Sequence, residues 1–154
     1  MAYESGICTV NAVYTGTDFV KADNNGGFCV TVVGGGTIIG EPKPRIQKTQ
    51  LATDVIAGVI QSVEEGSDDI RTPSATKAAT YANRGIVKMK KDASAPTLTD
   101  IGGQVMPTTT PGAVSVSDIS SPPNKGQGLV VGITGTGTDD FLLVDLDRTF
   151  YDIS

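Results

Sequence analysis

Gly126-Gln-Gly-Leu-Val-Val-Gly-Ile133 runs through Thr134-Gly-Thr-Gly-Thr-Asp-Asp140 into Phe141-Leu-Leu-Val-Asp-Leu146. Two apolar runs of strand length, joined by glycines, threonines and aspartates, read as a β-hairpin rather than a strand-to-helix turn. The same idiom recurs upstream, and composition agrees with it. Val (16), Thr (19) and Ile (12) far outnumber Leu (6), and β-branched side chains lose least on a pleated surface. The chain is therefore expected to be all-β, a small β-barrel or sandwich with an extended N-terminal segment and long loops. With 154 residues it is the size of one domain, and burying roughly 68–70% of its unfolded surface needs no metal or disulfide.

Working back along the chain, Val114 and Val116 alternate with Ser115 and Ser117 as a minimal half-buried strand, and Gly103-Gln-Val-Met106 is a second short apolar piece. Both sit in a Ser/Thr/Pro-rich stretch from Lys91 to Pro123 that reads as loops. Ala78-Ala-Thr-Tyr-Ala82 and Gly85-Ile-Val-Lys-Met-Lys90 flank Asn83-Arg84 as a hairpin or a bulged strand. Glu64-Glu-Gly-Ser-Asp-Asp69 is an acidic turn. Leu51, Val55, Val59 and Val63 would also suit one face of a helix, but Gly58 and the β-branched content favour a strand over Val55 to Val63.

Nearer the start, Glu41-Pro-Lys-Pro44 punctuates the chain and Gly34-Gly-Gly36 is expected to end a strand. Phe19-Val20-Lys21 and Phe28 to Val33 flank Asp23-Asn-Asn-Gly-Gly27 as a hairpin, and Ile7 to Tyr14 alternates as a first strand. Residues 1–40 thus form an N-terminal arm and hairpin region, and 41–154 a β-rich domain.

Chemistry-bearing residues are few. Without histidine, a serine or cysteine nucleophile lacks its usual base, and Cys8 and Cys29 read as core thiols or a disulfide. Gly132-Ile-Thr-Gly-Thr-Gly137 precedes a strand rather than a helix, so it is not a phosphate cradle. Asp139-Asp140 with Asp145 and Asp147, and the cluster at Glu64 to Asp69, lack calcium-loop spacing and read as solvated turns. Twelve basic against 17 acidic residues argue against nucleic acid as a partner, and Lys88-Met-Lys-Lys91 is read as a solvated strand end. No apolar run is long enough to span a bilayer, and the first residues lack the pattern of a signal peptide. No enzyme activity, cofactor or metal is expected.

A resemblance emerges from Val55-Ile-Ala-Gly-Val-Ile60 with its acidic turn, Tyr81-Ala-Asn-Arg-Gly-Ile-Val-Lys-Met89, Leu129-Val-Val-Gly-Ile133 and Leu142-Leu-Val-Asp-Leu146. Over roughly residues 40–147 this order of strands and glycines resembles the small decoration, or cement, proteins on the heads of tailed phages. The first 40 residues and the insert at 93–123 depart from that pattern. The resemblance implies a non-enzymatic virion protein, made in the host cytoplasm, that assembles as a homotrimer on the outer capsid surface and bridges major capsid proteins. Tyr3 to Tyr14, with Tyr3, Ile7, Val10, Val13 and Tyr14, is the expected strand for pairing outside the fold. Phe150, Tyr151 and Ile153 are a second candidate interface, subunit contact or own core. The competing class is a tail or fibre receptor-binding module whose Ser/Thr/Gly loops recognise a host-surface glycan. A small hydrolase using Asp139 or Asp140 is a third.

Overall fold

The computed structural model describes residues 4–16, 18–64, 76–117 and 126–146. They form a nearly all-β chain of nine strands, β1 (Ser5–Thr15), β2 (Cys29–Ile38), β3 (Glu41–Lys48), β4 (Gly58–Val63), β5 (Thr76–Met89), β6 (Gln104–Pro107), β7 (Val114–Ser117), β8 (Leu129–Ile133) and β9 (Leu142–Asp145). Strand order is β1-β3-β2-β4-β5-β9-β8-β6-β7, and an additional β1–β5 pairing closes the first five into a barrel. All barrel neighbours are antiparallel except β1 and β3, which run parallel and meet at Val13 and Arg45.

The closing hairpin is present as read: β8 and β9 pair antiparallel from Leu129 and Asp145 to Ile133 and Leu142. The short strand at Val114 is β7, antiparallel to β6. Between Ala78 and Lys90 the bulged-strand alternative holds, because β5 is one strand with a corner at Gly85. There φ is +95°, and a Cβ would collide with the backbone of Ser5 and Gly6, so only glycine fits. The corner reverses which residues face which core. Ala79 and Tyr81 point into the barrel, whereas Val87 and Met89, of the same parity, join the second core, as an irregularity in the period of two requires.

Those two cores explain why β4 is buried at consecutive residues. Val59 packs with Cys29, Ala82, Leu142 and Val144 in the layer beneath β6 to β9, while its neighbour Ile60 packs with Tyr14, Phe19, Val30 and Tyr81 inside the barrel. A wall buried on both faces reads as a continuous apolar run. The strand begins at Gly58 rather than Val55. Upstream, the Gln127 side chain holds the loop by accepting the Ile56 N–H at 2.5 Å and donating to the Asp54 carbonyl at 2.8 Å.

Four expectations near the N-terminus are corrected. Phe19 to Lys21 is not a strand: Phe19 is fully buried, Lys21–Asp23 is a single 3-10 turn, and the Asp23 carboxylate accepts the Val20 N–H at 2.8 Å. The three glycines do not end β2, which continues to Ile38 with a bulge between Val32 and Gly34. Gly36 serves close approach, since a Cβ there would lie 2.7 Å from Val13 Cγ2. Glu41 to Pro44 is strand as well. Pro42 and Pro44 are two residues apart and so aim their missing donors to one side, the edge away from β2, which leaves the β2–β3 ladder intact and confines β3–β1 pairing to Arg45. Finally, β1 is not a loose terminal strand: one edge is registered against β5 from Ser5–Ile86 to Thr15–Thr76, and the other meets β3 only at Val13 and Arg45. The boundary placed at residue 40 falls in the tight turn between β2 and β3, within one sheet.

Candidate functional site

Among the described residues the part of the molecule most unlike a buried core is the outer half of the β2–β3 hairpin. Its tip is a two-residue turn between paired Ile38 and Glu41, with φ of +50° at Ile39 and +77° at Gly40. Both central residues of a type I′ turn need positive φ, which Asn-Gly supplies at least cost. A β-branched residue in that region is a conformational outlier. Ile39 is nonetheless 97% exposed, so no packing of its side chain against the described residues compensates. Val32 and Val33 on the same hairpin are also exposed.

Beside the tip lies an open groove of about 360 Å³ bordered by Asn11, Ile38, Ile39, Lys43, Ser62, Glu64 and Thr80. Its polar groups are largely matched to one another. The Ser62 and Thr80 hydroxyls lie 2.6 Å apart, Lys43 pairs with Glu41 at 3.4 Å, and a Glu64 carboxylate oxygen accepts the Ala78 N–H at 2.6 Å. The groove is therefore a surface for shape and contact more than an array of unpaired groups.

The expected interface residues do not assemble there. Val13 and Tyr14 are fully buried, which removes them from any surface. Ile7 packs against the second core and Val10 against the barrel core. Tyr3, Phe150, Tyr151 and Ile153 lie outside the described residues. Sequence reasoning missed Ile39, Val32 and Val33, and the available signal was an Ile-Gly pair between two strand-forming runs.

Candidate chemistry elsewhere is engaged structurally. Asp140 accepts from the Thr134 hydroxyl at 2.8 Å and from the Gly137 N–H at 2.9 Å, tying the β8–β9 turn together. No group of three or more metal-ligating side chains occurs among the described residues. Cys8 and Cys29 are both free. Cys29 is in the second core, where burial pushes its thiol up to about 12, far from a thiolate at neutral pH, and Cys8 is exposed rather than in the core. In the expected basic strand end, Lys88 lies over the Phe141 ring at 5.3 Å and Lys91 is bound to Asp100 at 2.9 Å. Among the described residues no helix is long and apolar enough to cross a membrane.

The Lys91–Asp100 pair has a pH signature. Burial alone pushes the Asp100 carboxyl up, but the Lys91 hydrogen bond, the Thr97 amide and the Lys91 charge outweigh it, and the net direction is below the ordinary value of 3.8. A carboxylate depressed in the folded state contributes stability that is complete above its unfolded value and is lost as pH falls through its folded one. Denaturant titrations between about pH 5 and about pH 2 should show stability falling on acidification, with a shallower fall in Asp100→Asn. Equal slopes would remove Asp100 from the acid response.

Comparison with family models, curated proteins and solved structures finds no match for this chain.

Proposed function

We propose that this chain is a structural virion protein that binds the outer surface of a phage head and strengthens its lattice by bridging neighbouring major capsid proteins, with copies associating among themselves as a trimer. The observation that carries the reading is Ile39. A residue that strains a turn and gains nothing inside its own fold is best understood through a contact outside it, because backbone strain concentrates where surfaces act. The tip of a long two-stranded hairpin is also the shape that reaches a neighbouring subunit. A closed barrel in which Asp23, Asp100 and Asp140 are held in structural contacts and Cys29 is buried fits a protein that works through its surface.

The glycan-binding alternative draws less support. Sugar recognition favours exposed aromatic platforms, and of the described rings Tyr14, Phe19 and Tyr81 are buried while Phe28 and Phe141 are only partly accessible.

Replacing Ile39 with Asn separates the two demands on the turn. Asn tolerates positive φ, so Ile39→Asn should stabilise the fold by about 1 kcal/mol in urea titrations. The same change should weaken stoichiometric binding to empty phage heads, measured by co-sedimentation, because an apolar anchor is lost. Stabilisation with undiminished head binding would take the tip out of the contact. Binding to a glycan array but to no heads would favour the receptor-binding alternative.

A further inference from the structure

The two edges of the β2–β3 hairpin are treated differently by the sequence. On β3, Pro42 and Pro44 blunt the edge that faces away from β2, as natural sheets commonly do to prevent unwanted pairing. On β2, Thr31-Val-Val-Gly-Gly-Gly-Thr-Ile38 carries no proline and no charge. That strand pairs with β4 only at Cys29 and Val30, so among the described residues its far side is unpaired from Thr31 onward. A long, uncharged, exposed edge is a template for an added strand unless something covers it.

A charge stands beside this edge. Gly34 sets no side chain opposite its cross-strand partner Arg45, whereas the space at Gly36 is taken by Val13. The Arg45 guanidinium occupies the space beside Gly34, with Nη2 3.8 Å from where a Cβ would stand. Asp18 feels that guanidinium, yet the buried Arg45 Nε has no hydrogen-bond partner among the described residues. The complement to this edge is an extended segment that favours strand and carries carboxylates.

Residues 147–154, Asp147-Arg-Thr-Phe-Tyr-Asp-Ile-Ser154, have that chemistry. Thr149, Phe150, Tyr151 and Ile153 are strong strand formers, and Asp147 and Asp152 outnumber Arg148. The segment matches Thr31–Ile38 in length and follows directly from β9. We infer that residues 147–154 of one copy add as a strand to the β2 edge of a second copy, with a carboxylate of the segment meeting Arg45. Backbone hydrogen bonds supply affinity and the aspartates supply register, and repetition of the contact around a closed ring makes individually weak contacts sufficient. This rests on the proposed assembly of copies side by side.

The test uses full-length protein in native mass spectrometry and sedimentation. Wild type should self-associate. Arg45→Asp, which spoils the acceptor edge, and the double change Asp147→Arg with Asp152→Arg, which spoils the donor, should each weaken association about tenfold or more. Mixed together, the two variants should form heterodimers, because one retains a good donor and the other a good acceptor. Thr37→Lys, which leaves Arg45 untouched but charges the edge, should also weaken association. Hydrogen exchange at Thr31–Ile38 should slow with protein concentration in wild type alone. A wild type that is monomeric at every concentration, variants that associate like wild type, or a mixture that stays monomeric because each tail folds onto its own copy would overturn the inference. Head binding is scored separately: binding without self-association leaves the proposed function standing and removes this contact, and self-association through this edge without head binding does the reverse.

Discussion

Gly58→Ala is expected to remove a large share of the protein's stability. Gly58 opens β4 at the point where the barrel wall is pressed between two cores. A Cβ there would fall inside the contact distance of the Ala82 carbonyl oxygen and lie 2.7 Å from Tyr81 Cδ2. The obstructing atoms are backbone and a buried ring, so relief requires β4 and β5 to separate where Val59 is registered to Ala82. Overpacking of this kind costs about 3 kcal/mol and sometimes more, against a total stability on the order of 5–15 kcal/mol. Urea titration should therefore show a loss of about 3 kcal/mol or more. Gly132→Ala is the control, because its Cβ would meet only the flexible Leu143 side chain, at 3.3 Å, and it should change stability by less than about 1 kcal/mol. Similar losses in both variants would show that the β4–β5 contact is not the cause.

The same glycine shows what was legible in the sequence and what was not. The closing hairpin could be read because its turn chemistry and both strand runs are local. The two-sided burial of β4 could not, since consecutive apolar residues do not reveal which of two cores each will enter. Gly34 to Gly36 suggested a break because glycine weakens strands, yet here glycine makes room for Val13 beneath the hairpin. Pro42 and Pro44 suggested punctuation, and their spacing of two is what lets them stay in β3 without breaking its ladder with β2. On β1 the alternation was visible, and Val10, Ala12 and Tyr14 do line the barrel core. What alternation could not show is that Val13, on the opposite face, is also covered. The candidate site was the least legible part, because Ile39 looks like an ordinary strand residue until the hairpin turn is seen to fall on it.

Tyr14→Ala should cost about 3–5 kcal/mol, the usual range for removing a large buried ring, and this separates a core role for β1 from an interface role. Tyr14 is fully buried, and its ring meets that of Phe19 edge to face with centroids 5.3 Å apart and planes at 80°, a geometry that adds to area burial. Ile60, Val30 and Tyr81 complete the cluster, drawn from three further strands that have few ways to collapse into the vacated volume. Were Tyr14 an external contact, its removal would change the isolated protein's stability by less than about 0.5 kcal/mol and appear only in binding. As a wall of the barrel, β1 makes its contribution before any partner arrives. Removing residues 1–14 should therefore abolish the cooperative unfolding transition itself, and loss of head binding on that deletion would report unfolding rather than a missing contact. A truncated chain that still melts cooperatively near the wild-type midpoint would show that the barrel closes without β1.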